Sequence, residues 1–300
     1  MDARRRALLG ALAGLAVTRA ATGAERMQTR PIPASGEALP VIGLGTWQTF
    51  DVGGNGAARA PLKEVLQALY ESGGRVVDSS PMYGSSESVV GDLCAELGLC
   101  EPLFMATKVW TQGREDGIRQ MRRSIERMRA GRMDLLQVHN LVDLDAHTRT
   151  LLEWRAQKVV RYIGVTHYTA SAHAALVRAM QTKQYDFVQV NYSLDEREAE
   201  DTVLPVAQAL GVATLINRPF ATGSMFRRTR GKPLPPWAAE LGIATWAQYF
   251  LKWIVSHPAV TCAIPATSKP AHMRDNAGAG MGAMPDAALR ARMSQHYDTL

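Results

Sequence analysis

From residue 41 to the carboxyl end, short continuous apolar runs alternate with longer amphipathic segments. The runs occupy residues 41–45, 75–79, 103–109, 133–139, 162–166, 187–191, 213–217 and 261–265. They are rich in Val, Ile and Leu without in-and-out alternation, as expected of parallel strands buried on both faces. Helical spacing recurs between them, near 61–73, 85–97, 113–131, 146–158, 170–182, 200–210, 245–256 and 270–277. Eight strand–helix units in series predict an α/β fold, a single-domain (β/α)8 TIM barrel rather than an open sheet.

Three segments fall outside the repeat. Residues 221–241, rich in Gly, Pro and Arg, follow the seventh strand and read as a lid or cofactor flap at the mouth of the barrel, or as a plain surface loop without a role in the site. Residues 285–298 read as a closing helix begun by Pro285, with almost nothing after it. Residues 1–24 have a basic start, an apolar run from Ala7 to Val17, and small residues near Ala20 and Ala24. That is the layout of a secretory signal, too short to span a bilayer. Arg5 and Arg6 before the apolar run resemble a twin-arginine export signal, cleaved after Ala20 or Ala24. The barrel then occupies residues 25–300, and the expected location is periplasmic or otherwise exported, with the twin-arginine machinery as a partner in transit.

The net charge of +6 changes little. Arg4, Arg5, Arg6 and Arg19 against Asp2 put half of it in the first 24 residues. No basic stripe with interleaved aromatics points to nucleic acid. No GxGxxG follows a strand, and no His, Cys and carboxylate set has metal-ligand spacing. The cysteines Cys94, Cys100 and Cys262 are odd in number, and a disulfide framework is not indicated. Cys94 and Cys100 are near enough in sequence to bridge, but the expectation is buried free thiols, in keeping with a protein folded before export.

The chemistry lies at strand ends, where such barrels carry their active sites. Asp78, Lys108 and His139 close three of the runs, and Tyr83 follows the first of these in PMYG at 81–84. A phenol titrates near 10, so alone it is a poor acid at neutral pH. A neighbouring ammonium lowers that pKa, a carboxylate keeps the ammonium charged, and a histidine can orient a carbonyl oxygen. Together these groups give a proton to a carbonyl while another agent gives a hydride.

These segments resemble the aldo/keto reductase superfamily over about residues 37–298. GLGTW at 43–47 is similar to its first strand. Val76-Val77-Asp78 and the PMYGSSESVVGDL that follows at 81–93 are similar to its Asp-then-Tyr motif. ATKVW is similar to its Lys strand, DLLQVHN to its His strand and YIGVTHYTA to the strand after. The resemblance implies NAD(P)H-dependent reduction of aldehydes or ketones, with Asp78, Tyr83, Lys108 and His139 as the catalytic tetrad. Trp47, Met82 and Trp110 would wall the substrate side, suiting a planar or aromatic carbonyl compound.

The same resemblance places the nicotinamide against Gly45, Thr46, Thr166, His167 and Gln189. Thr166-His167 stands where relatives carry Ser-Asn. Asn217, Arg218, Pro219 and Phe220 stand in place of an aromatic-Ser-Pro-Leu, so the ring-stacking aromatic is replaced by Asn217. Thr267, Ser268, Lys269 and Asn276 would meet the adenosine end, with Ala266 and His272 where many relatives have the Lys and Arg that hold a 2′-phosphate. NADP(H) is expected over NAD(H), by a modest margin. Two other functions compete: a cofactor-binding accessory or sensory barrel with little turnover, and a Schiff-base lyase built on Lys108.

Overall fold

The structure, a computed structural model, describes residues 26–300. The expected signal at 1–24 and its cleavage points lie outside the described residues. A two-stranded antiparallel hairpin, β1 (Thr29–Pro31) and β2 (Ala38–Pro40), comes first. Eight parallel strands follow: β3 (Leu44–Gly45), β4 (Val76–Asp78), β5 (Phe104–Val109), β6 (Met133–His139), β7 (Val160–Thr166), β8 (Phe187–Asn191), β9 (Ala213–Asn217) and β10 (Cys262–Ala263). They pair in chain order from β3 to β10. Parallel bridges from Ile42 to Ala263 and from Gly45 to Ala266 join the two ends into a (β/α)8 barrel.

Seven of the helices cross over between strands: α1 (Gly56–Glu71), α2 (Ser86–Leu97), α3 (Arg114–Arg127), α4 (Leu144–Ala156), α5 (His173–Gln181), α6 (Val203–Leu210) and α8 (Trp246–Val255). A short α7 (Ser224–Arg228) and a 3-10 turn at Pro236–Leu241 lie within the expected flap segment. After β10 come α9 (Pro270–Gly278) and α10 (Ala287–Asp298). None of the helices among the described residues is long and apolar enough to cross a membrane.

Two cores result. Outside the sheet, α1 alone buries Leu62, Val65, Leu66 and Leu69 against the strands. Inside it, Phe104, Tyr162 and Phe187 pack ring to ring at 5.6–6.0 Å, with Leu135, Leu215 and Ile264 in the same cluster. The hairpin β1–β2 closes the bottom, its Ile32 and Leu39 joining that interior cluster. Tyr162 Oη donates to Glu37 at 2.6 Å and lies 2.7 Å from the Ser35 hydroxyl, and Arg161 pairs with both Glu37 and Asp134.

Register sets what meets at the top. Gly45 lies beside Asp78, Lys108 beside Gln137, His139 beside Thr166, and Thr166 beside Gln189. Asn191 lies beside Asn217.

The structure corrects three expectations. Helix α1 starts at Gly56, five residues before Pro61, because Asn55 caps it by accepting from the Ala58 amide at 3.1 Å. The closing helix starts after Asp286, whose carboxylate accepts from the Leu289 amide at 2.8 Å, and not at Pro285. Cys94 and Cys100 form a disulfide, and only Cys262 remains a buried free thiol. Gly98 is the reason: its left-handed φ of +67° ends α2 and turns the chain back, so the two Cα atoms lie 5.1 Å apart.

Candidate active site

Asp78 ends β4, Lys108 lies one residue before the end of β5, and His139 ends β6. Tyr83 sits in the turn between β4 and α2. All four converge at the carboxyl end of the barrel. Lys108, wholly buried, donates to Asp78 Oδ2 at 2.5 Å and to the Ser79 carbonyl at 2.7 Å. Its Nζ lies 5.1 Å from the centre of the Tyr83 ring, and that ring meets His139 edge-on at 6.0 Å.

The other carboxylate oxygen of Asp78 organises a chain of amides. A carboxylate only accepts, so both glutamines facing it must turn their amino groups inward. Gln137 Nε2 reaches Asp78 Oδ1 at 3.1 Å and Gln189 Nε2 reaches it at 3.0 Å. Gln189 Oε1 then faces outward and accepts from Asn217 Nδ2 at 3.3 Å, while that amino group also donates to the His167 carbonyl at 3.1 Å. The orientation of Asn217 is thereby fixed, and its Oδ1 is left buried with no hydrogen-bond partner. Asn140 Oδ1 is in the same state.

Burial dominates the electrostatics. It pushes the Tyr83 phenol above its ordinary value; the Lys108 ammonium pulls the other way and is outweighed, with Asp78 adding to the rise. The expected lowering of the phenol by Lys108 is corrected accordingly: the attraction is present, but it is smaller than the cost of placing a phenolate in so little water. For Lys108 burial opposes the charge, but Asp78 and Tyr83 overcome it and raise its pKa, so it stays an ammonium. His139 is driven down to about 2 by burial, by the Lys108 charge and by His167, and is a neutral imidazole. Its Nδ1 lies 3.0 Å from Ser80 Oγ.

A cavity of about 750 Å³ opens above these groups. Gly45, Thr46, Thr166, Gln189 and Asn217 line one side, together with Arg218, Pro219 and Phe220. Trp47, Met82, Trp110, Tyr168 and Phe226 line the mouth. These five are the large exposed hydrophobic side chains among the described residues, and every one of them faces this cavity. Arg218 is neutralised by two contacts to Glu196, at 2.6 and 3.3 Å.

The family model for the aldo/keto reductase family matches residues 41–290. The chain belongs to that family. It is 29% identical over 259 residues to the methylglyoxal reductase YeaE of Escherichia coli, covering 84% of this chain and 89% of that protein. An aldo/keto reductase of Klebsiella pneumoniae, solved with NADP and acetate, superposes with a TM-score of 0.74 at 27% identity, over 87% of this chain and 93% of that one. A Klebsiella pneumoniae aldo-keto reductase solved with NADPH gives a TM-score of 0.76 at 26% identity, over 90% and 95% of the two chains. The protein is an NAD(P)H-dependent oxidoreductase acting on carbonyl compounds.

Of the residues expected in this reductase's site, the tetrad, the aromatic wall and the residues of the nicotinamide side come together. His167 does not. Its ring turns back on its own loop, stacks on Tyr168 at 5.4 Å, and accepts at Nδ1 from the Tyr168 amide at 3.0 Å and the Thr169 amide at 3.3 Å. Thr267, Ser268, Lys269 and Asn276 lie outside the cavity lining, at the start of α9 and within it. There Thr267 Oγ1 accepts from the Lys269 amide at 3.1 Å, Ser268 and Lys269 are exposed, and Asn276 is buried. Sequence reasoning missed Ser80, Gln137, Tyr168 and Phe226. Gln137, a polar residue between Leu136 and Val138 in the strand run, was the one signal available for these.

Proposed function

We propose that this aldo/keto reductase reduces an uncharged, extended apolar aldehyde or ketone to the alcohol, with Tyr83 as the proton donor. The observation that carries this reading is the closed set Asp78–Lys108–Tyr83–His139 beneath a mouth made of Trp47, Met82, Trp110, Tyr168 and Phe226. The raised pKa of Tyr83 keeps the phenol protonated at neutral pH, so the acid is always loaded. Lys108 contributes when the proton leaves, because its ammonium attracts the phenolate and not the phenol. That is stabilisation of the transition state over the ground state. Asp78 keeps the ammonium charged and in place. His139, neutral, can donate to the carbonyl oxygen and fix its angle without competing as an acid.

A bound nicotinamide would supply the hydride. The residues present fit such a group: the cavity has the volume, and Asn217 leaves a buried acceptor beside it without a partner. Gly45, Thr46, Thr166, Gln189 and residues 217–220 would hold its nicotinamide side. Thr267, Ser268, Lys269, Asn276 and the amino end of α9 would hold the adenosine side, with a modest preference for the 2′-phosphate through Lys269. With Lys108 buried, protonated and paired to Asp78, a Schiff-base role has no free amine to use.

The apolar mouth favours the substrate class. The two charged groups of the cavity lining, Asp78 and Arg218, are each paired inside the protein, so a charged substrate finds no free counter-ion there. The Cys94–Cys100 disulfide supports action in an oxidising compartment, as the export-type amino terminus also does.

Tyr83→Phe is the test. Turnover of a panel of aromatic aldehydes should fall by at least a thousandfold, while the NADPH dissociation constant read by tryptophan fluorescence stays within about twofold, because the hydroxyl acts in the transition state. Full activity in Tyr83→Phe would remove Tyr83 from the role. Tight NADPH binding with no turnover by wild type on any carbonyl would favour an accessory or sensory barrel instead.

A further inference from the structure

Ser80 lies two residues beyond β4, fully buried, and its hydroxyl is the hydrogen-bond partner of the His139 ring among the described residues. A neutral imidazole carries one proton, and its tautomer decides whether the nitrogen facing a ligand donates or accepts. A carbonyl oxygen accepts only, so the ring can hold it solely as the Nε2–H form with Nδ1 bare. The Ser80 hydroxyl oxygen already faces a donor, the Met82 backbone N–H at 3.5 Å, which can only donate. Its own proton needs an acceptor, and among the described residues Nδ1, at 3.0 Å, is the one within reach.

We propose that Ser80 is a positioning residue that donates its hydroxyl proton to Nδ1 of His139, fixing the Nε2–H tautomer and keeping a donor turned toward the substrate carbonyl. The assignment rests on the reading of His139 as the group that orients the carbonyl. The neighbours leave this role to Ser80 alone, since Tyr83 and Trp110 meet the ring only through aromatic contacts at 6.0 and 6.5 Å. Lys108, the nearby cation, is occupied by Asp78 and the Ser79 carbonyl. Removing the hydroxyl leaves Nδ1 bare and buried, so the other tautomer and a ring flip gain population.

Long-range proton–nitrogen NMR of the imidazole in the resting protein reads the tautomer directly. Wild type should show His139 with a protonated Nε2 and a bare Nδ1. Ser80→Ala should show mixed or reversed tautomers, with kcat on aromatic aldehydes down about fivefold, the scale of one neutral hydrogen bond, and the NADPH dissociation constant unchanged. Ser80→Thr, which keeps the hydroxyl, should restore both. A wild-type proton on Nδ1 overturns the proposal, and so does a Ser80→Ala protein that keeps a single Nε2–H form, whatever its activity. The wild-type spectrum decides even if Ser80→Ala fails to fold. Because the spectrum needs no substrate, it stands apart from the Tyr83→Phe experiment: Tyr83 can lose its role while the tautomer assignment holds.

Discussion

At the amino ends of the strands the hairpin β1–β2 seals the barrel with Ile32 and Leu39, and the charges there are arranged as a closed set around Arg161, Glu37 and Asp134. At the carboxyl ends the same barrel is left open, its large apolar side chains face solvent, and two buried amide oxygens, on Asn140 and Asn217, have no partner. The backbone differs as well. At the bottom, Gly98, Gly211, Arg129, Lys158 and Lys183 take left-handed φ values where a helix ends, a conformation that satisfies its last carbonyls. At the top, Asn140, Leu141, Arg218, Ala221 and Thr222 take left-handed values in loops that border the cavity, where no helix end calls for them. One end has been settled for stability, and the other holds local cost in exchange for a site.

The comparison is broken most severely at the buried charge pair of the top end, Lys108 with Asp78. Lys108→Met should abolish activity and also destabilise the fold by about 3–5 kcal/mol, because it strands a buried carboxylate. Chemical denaturation beside the activity assay checks both effects. A protein of normal stability and no activity would show that Asp78 is rescued by Gln137 and Gln189, and that the amide chain is stronger than the salt bridge.

The second effect is pH. In the folded state His139 has a pKa of about 2, against 6.5 unfolded, so the unfolded chain takes up a proton that the native ring refuses. The folded pKa is depressed, and the sign follows: this contribution is complete above pH 6.5 and is lost as pH falls toward 2. The loss runs to at most about 1.4 kcal/mol per pH unit in that window. Burial also lowers His167 and His257, which steepen the same acid limb. Melting curves at successive pH values should show a shallower decline in His139→Gln than in wild type between pH 6 and 4. Parallel curves would mean that the ring is solvated enough to protonate in place.

How much of this contrast could be read beforehand differs between the two ends. The strands that carry Asp78, Lys108 and His139 are apolar runs whose boundaries the pattern located within a residue or two, so the meeting of these three residues at one end of the barrel was legible. The hairpin was invisible, since two three-residue strands separated by Pro33 and Gly36 show no period. Helix α1 was entered late because Pro61 looked like a start, while Asn55 held the actual cap. The pairing of Arg218 with Glu196 and the meeting of Ser80 with His139 are contacts between residues 22 and 59 apart in sequence. Nothing local reports them. The cysteines went wrong for a related reason: Cys94 lies in the helix pattern at 85–97, and that pattern does not report how the turn at Gly98 brings Cys100 back beside it.

That disulfide supplies the third effect, and it belongs to the stable end, since α2 finishes there. A bridge closing seven residues, Cys94 to Cys100, removes chain entropy worth about 2 kcal/mol. Replacing both cysteines by Ala should lower the unfolding free energy by about that amount, with kcat unchanged because the bridge touches none of the cavity residues. Equal stability with and without the cysteines, under oxidising conditions, would mean that the thiols do not bridge in solution.

The smallest effect sharpens the contrast most cleanly. Lys158 and Lys183 sit just past the ends of α4 and α5 with φ of +61° and +58°, where α2 and α6 carry Gly98 and Gly211. Their amides close the same type of turn, Lys158 onto the Arg155 carbonyl at 3.0 Å and Lys183 onto that of Met180 at 2.9 Å. Both side chains are exposed, and neither makes a hydrogen bond or ion pair with the described residues. A left-handed residue with a Cβ costs roughly 1–2 kcal/mol, and a glycine gives back part of the gain through its looser unfolded chain. Lys158→Gly and Lys183→Gly should therefore each stabilise the fold by about 0.5–1 kcal/mol, additively and with unchanged kinetics. Arg218→Gly relieves the same kind of backbone cost at the top, yet it also removes the partner of Glu196 beside the cavity. It should gain no stability and should weaken NADPH binding. If glycine at 218 behaves like glycine at 158, stabilising and kinetically silent, then the strain at the mouth is incidental and the two ends of the barrel differ only in what covers them.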